Sequence, residues 1–144
     1  MTLISDRLLL TLWVGGMWII GYVVAPVLFK MLERQLAGSV AGQLFTIMSY
    51  IGLVCGILLL TSMIYRTGFE NLLQWRVVVL ISMIVIVIIG QFVLQPMMAE
   101  LKAAGLSGDI RAQFGRLHGI SSVLFMINSL AGLALVVFGL STKD

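Results

Sequence analysis

"LLLTLWVGGMWIIGYVVAPVLF", Leu8–Phe29, runs for 22 positions without an Asp, Glu, Lys or Arg. A helix of that length rises about 33 Å, enough to cross the ~30 Å hydrocarbon core of a bilayer. Three further stretches read the same way: Leu44–Tyr65, Val77–Met97 and Leu117–Leu140. The 144-residue chain is 60% hydrophobic and 10% charged, with a mean hydropathy of +1.12. A soluble domain carries about 25% charged residues, so this chain could not clothe a water-facing surface.

An integral membrane protein follows. Inside lipid each backbone N–H must bond within its own segment, and short links join neighbouring spans. The expected fold is therefore an all-α antiparallel bundle of four transmembrane helices in a single domain, residues 1–144. The first span could imitate a secretory signal, with Arg7 before it and Val23-Val24-Ala25 as a small-residue cleavage site. Its apolar run is too long for that role and Pro26 would follow the cut, so the segment is read as retained.

Charge excludes some functions and weakly orients the chain. The net charge of +3 is spread over the loops, with no basic cluster of the kind nucleic-acid binding uses. Lys30, Arg34, Lys102, Arg111 and Arg116 fall on one side, and Arg7, Arg66, Arg76 and Lys143 on the other. Five against four favours the first side as cytoplasmic in an inner membrane, with both termini periplasmic.

The two halves align at an offset of seventy residues. Val23 matches Val93, Pro26 matches Pro96, Leu36 matches Leu106, Gly38 matches Gly108 and Gln43 matches Gln113, with Tyr22 opposite Phe92. Two tandem two-helix repeats would be parallel, related by an axis along the membrane normal. Recurrence of proline at span ends and glycine in loops by chance is the plainer alternative.

Helical periodicity sorts the fourth span. His118, Ser122, Phe125, Ser129 and Gly132 share one stripe, with Ser121 and Asn128 at its margins. That stripe is expected to face inward, and Ile120, Val123, Leu124, Ile127, Ala131 and Ala134 to face lipid. In the second span Gly52 and Gly56 form a small-xxx-small element with Ser49 one turn earlier, a packing device. Gly15 and Gly16 offer a similar smooth surface on the first span. The third span, β-branched nearly all round, is expected to be the most lipid-exposed.

Chemistry-bearing groups are few. There are no paired carboxylates, no HExxH, no CxxC and no phosphate-binding glycine loop, so the reading leans away from an enzyme. Cys55 stands alone, which excludes an intrachain disulfide. Nine methionines raise the question of Cu(I), but Met48 and Cys55 on one face lie about 10 Å apart along the axis. Met as packing filler is the simpler reading. His118 sits where the chain enters the membrane and can reach the headgroups. As the single histidine it rules out two-histidine haem ligation within one chain and leaves single-His or His/Met ligation open. Asn128 lies deep, and its amide should bond across helices to Ser49, Ser82 or Gln91. Pro26 removes a backbone donor and would open a small vestibule by kinking its helix.

The residues "FGRLHGISSVLFMINSLAGL", Phe114–Leu133, resemble the LHG-S…N signature of the transmembrane protein 205-like family. Its bacterial members are grouped as domain of unknown function 4149. "WVGGMWIIGYVVAPVLFK" and the following "AGSVAGQLF" are similar to that family's GG…aPvlFk segment. The resemblance implies a four-span membrane protein without an assigned activity, and eukaryotic relatives are associated with resistance to metal-containing drugs. A more distant likeness links the Trp-x-Gly-Gly segment to the copper-resistance D and four-helix protoporphyrinogen oxidase families. The oxidase family places a histidine and a lysine after the proline; "APVLFKML" has Lys30 and no histidine.

These readings converge on a cleft between the first and fourth spans, lined by Trp18, Tyr22, Pro26, His118, Ser122 and Asn128. It would serve a non-enzymatic binding, transport or accessory role toward a small or metal-linked solute. A haem- or porphyrin-binding redox protein is the alternative, with haem or copper as its cofactor. A structural subunit partnered by a second copy or another membrane protein is the third.

Overall fold

A computed structural model describes residues 3–68 and 72–139; the predicted end of the fourth span at Leu140, and Lys143, lie outside them. Four long helices carry the fold: α1 (Ile4–Met31), α2 (Arg34–Arg66), α3 (Trp75–Ala103) and α4 (Gly108–Phe138). All are apolar and long enough to cross a bilayer, and among the described residues there is no strand. The all-α four-span architecture expected from hydropathy is the one observed.

The helices outrun the predicted spans. α2 starts ten residues before Leu44 and α4 nine before Leu117. Hydropathy registers only the apolar part of a helix, whereas "RQLAGSVAGQ" and "GDIRAQFGR" continue the helical ladder into the interface with polar side chains. What remains between α1 and α2 is an extended Leu32 and Glu33. Between α3 and α4 the chain turns at Gly105, whose φ of 86° suits glycine after a helix C-terminus.

Each helix packs on two neighbours, α1 and α3 both lying against α2 and α4. The centre is held by Leu10, Trp13 and Met17 of α1 and by Leu80, Met83 and Val87 of α3. These are the same three positions at the offset of seventy. Both helices also change to a π turn at matching places, Ile19–Val24 and Gly90–Leu94. In each, the residue before the proline donates to the carbonyl five back: Ala25 to Ile20 and Gln95 to Gly90. A proline ring clashes with the carbonyl four residues earlier and brings no N–H, and a wider turn relieves the clash. The repeat thus extends from sequence identities to buried faces and backbone geometry.

Small residues let the helices close on Trp13. A Cβ on Gly52 would strike the Trp13 indole, and one on Gly56 would come within 2.8 Å of Ile84 and 3.1 Å of Trp13. On Gly132 it would meet Val14 at 2.7 Å and Met83 at 3.0 Å, and on Gly16 the flexible end of Met48 at 2.6 Å. Gly15 meets nothing within 4 Å, and Ser49 bonds its own helix at the Phe45 carbonyl. α3 is not the most lipid-exposed helix. Its most apolar window is 28% buried, equal to α2 and above the 22% of α1 and α4. Val77, Leu80, Met83 and Val87 recur along one stripe, which the uniform β-branching of the sequence concealed.

Candidate functional site

The expected cleft between α1 and α4 is partly assembled and largely filled. Tyr22 and Ser129 share a hydroxyl–hydroxyl hydrogen bond of 2.8 Å, and the Trp18 indole N–H donates to the Ser129 carbonyl at 3.3 Å. Trp18 and Tyr22 rings lie 4.9 Å apart, and Phe125 sits 6.0 Å from Tyr22 and 5.2 Å from Phe45 of α2. Phe125 fills the space at Gly21, where a Cβ would collide with its ring. The buried Asn128 amide donates to the Met17 sulfur at 3.5 Å rather than to Ser49, Ser82 or Gln91, and its Oδ1 has no partner.

His118, Ser122 and Pro26 do not join this cluster; all three are exposed. Ser122 Oγ turns back to the His118 carbonyl at 2.8 Å, and His118 stacks on Phe114 at 6.1 Å. The inward assignment of His118 and Ser122 is therefore corrected. The short turn at residues 104–107 ties the first half of α4 to α3, so Phe114, Leu117 and Ser121 form its partly buried line there. Only from Phe125 onward does the predicted stripe, with Ser129 and Gly132, meet α1. Periodicity gives the face of a helix and is silent on which neighbour meets it at each level.

The groove opens elsewhere, at the second proline. Between the first half of α2 and the second half of α3 lies a space of about 610 Å³, lined by Gly38, Ser39, Gly42, Gln43, Thr46 and Ile47 on one wall. Gln91, Gln95, Pro96, Ala99 and Lys102 form the other. From Lys102 at the loop end to Gln91 just past the middle of α3 is roughly 16 Å along the helix, half a bilayer. Gln91 Oε1 is buried there without a hydrogen-bond partner. The missing N–H of Pro96 also deprives a carbonyl at Gln91 or Phe92 of its ladder donor. One unpartnered side-chain acceptor thus lies at the deep end, among the amide and hydroxyl groups of Gln43, Thr46 and Gln95. At the mouth the Lys102 ammonium lies 5.4 Å from the Phe114 ring, a cation–π contact.

A second polar cluster escaped the sequence reading. Asp6, 3% exposed, is paired with Arg66 and accepts a bond from Ser62 at 3.2 Å, tying α1 to α2 at the opposite end of the bundle. Its other oxygen, Oδ1, is buried without a partner. Asp6 and Arg66 flank separate spans, so sequence spacing carried no sign of the pair. The groove was more accessible to inference: Gln91, Gln95 and Pro96 stand four and five residues apart inside an otherwise apolar segment.

Comparison with known proteins gives a family and no activity. The model of the domain of unknown function DUF4149 matches residues 8–107, and the chain belongs to that family. No curated protein and no solved structure matches it.

Proposed function

We propose that this DUF4149 protein is a non-enzymatic carrier of the inner membrane, which binds a small or metal-linked solute in the groove between α2 and α3. One observation carries the reading: a buried amide oxygen of Gln91 with no partner, at mid-membrane depth beside a groove that Gln43, Thr46 and Gln95 also line. An unmet polar group in that setting costs several kcal/mol unless a solute or water reaches it. Helices that change to a π turn at matching positions of two repeats resemble, in placement, the paired helix irregularities at which membrane carriers hold substrate near the midplane. With the termini periplasmic, the Lys102 mouth opens to the cytoplasm. The wider likeness to transmembrane protein 205-like proteins rests on the LHG-S…N pattern of Phe114–Leu133, which lies beyond the family match at residues 8–107.

Haem and Cu(I) do not suit this groove. Its donors are amides, hydroxyls and an ammonium, whereas those groups call for imidazole, thiolate or thioether ligands. Met48 and Cys55 are buried in the central core, and His118 is stacked at the exposed end of α4.

The test is flux into proteoliposomes of glycerol, urea, acetate and phosphate, comparing wild type with a Gly42→Leu/Thr46→Leu variant that plugs the groove. A several-fold slower entry of at least one solute through the plugged form is expected. Equal rates for all four would overturn the proposal.

A further inference from the structure

We infer that the groove is a water-filled vestibule selective for small anions that carry an O–H group, an inference that rests on the solute-binding reading above. The sign comes from the lining: Lys102 is its one charged side chain, and no carboxylate shares either wall. A fixed cation beside low-dielectric walls concentrates anions and repels cations. The ammonium lies 5.4 Å from the Phe114 ring of α4, at the loop end of the groove. Amide N–H groups of Gln43, Gln91 and Gln95 and the Thr46 hydroxyl can donate to the oxygens of an anion along the path. The deep end asks for the opposite. Gln91 Oε1 is an acceptor buried without a partner, and a turn of its side chain toward the groove would let it take a donor from the solute. Hydrogen-bearing inorganic oxyanions and hydroxy acids both supply an anion and an O–H. A metal cation is repelled at the mouth, and an apolar ligand leaves the amide oxygen unmet.

The test uses the full chain in liposomes with Cys55→Ser, carrying Gln95→Cys on one wall or Thr46→Cys on the other. Anionic sulfonatoethyl and cationic trimethylammonioethyl methanethiosulfonate are compared, each rate normalised to its reaction with a free thiol. The anionic reagent should be favoured roughly tenfold at both positions, from one unit charge about 10 Å away. Lys102→Glu should reverse the preference, and Val85→Cys on the exposed face of α3 should react with neither reagent. Phosphate and lactate should slow labelling of Gln95→Cys, whereas sulfate and acetate, which lack an O–H at neutral pH, should not. Equal protection by all four would overturn the O–H requirement. Equal rates for the two reagents, or labelling of both cysteines by N-ethylmaleimide alone, would overturn the vestibule. Solute entry blocked by plugging but indifferent to charge would sink this inference and leave the carrier reading intact.

Discussion

The α1–α4 and α2–α3 contacts are built from equivalent positions of the two repeats and end differently. On the first, Gly21 makes room for Phe125, and Tyr22 and Trp18 bond to Ser129. Seventy residues away the same places hold Gln91 for Gly21, Cys55 for Phe125, Phe92 for Tyr22 and Leu59 for Ser129. Gly21 of the first contact has become an amide at the wall of the groove, while Cys55, in the place of Phe125, is buried in the central core and is no part of that wall. Aromatics pack across both contacts, Tyr50 on Phe92 at 6.3 Å in the second, and the groove lies on the Lys102 side of that pair. The shared π turn and proline make a gap available in both repeats, and side-chain volume decides whether it remains.

The largest effect should come from overfilling the closed half. Gly132 of α4 sits between Val14 and Met83, one from each of α1 and α3, so a new side chain cannot be accommodated on either flank. Gly132→Leu should destabilise the bundle by about 3 kcal/mol, the upper range for overpacking a tight core. Thermal unfolding in detergent reads this directly. If Gly132→Leu unfolds like wild type, the helices are not locked on that side and the contrast between closed and open halves fails.

Hydrogen bonding gives the next test, with opposite signs on the two sides. Tyr22→Phe removes the bond to the buried Ser129 hydroxyl and should lower stability by about 1 kcal/mol. Gln91→Leu removes a buried acceptor that has no protein partner and should leave stability unchanged or raise it by roughly 1 kcal/mol. Solute entry should respond in reverse, falling for Gln91→Leu and holding for Tyr22→Phe. A Gln91→Leu protein that is less stable than wild type would mean the amide supports the fold and is no solute contact.

Sequence alone displayed the four helices, because an uncharged run of more than twenty residues admits few other solutions. It also displayed the repeat, and Pro26 led to the expectation of a kink in α1, where the helix runs on through a π turn. The site was legible only in part. Trp18, Tyr22, Asn128 and Ser129 were chosen for being polar or amphipathic at depth, and all four meet near α1. His118 and Ser122 obeyed the same periodicity but lie at a level where α4 follows α3. The vestibule was expected at Pro26, whereas the groove that the described residues leave lies beside its twin Pro96. Nothing in either proline distinguishes them; at Gly21 the gap is filled by Phe125 of another helix, ninety-nine positions from Pro26.

The smallest effect is the most specific check on the repeat. Gly42 lines the groove, and a Cβ there would meet nothing within 4 Å. Its equivalent in the second half is Ala112, already an alanine. Gly42→Ala should therefore be tolerated and add up to about 1 kcal/mol through helix propensity, while Gly52→Ala, ten residues along the same helix, must displace the Trp13 indole and lose stability. Two identical substitutions on one helix then differ in sign because one faces the open groove and the other the closed centre. If both variants melt below wild type by the same amount, the first half of α2 is packed against a neighbour and the groove does not exist.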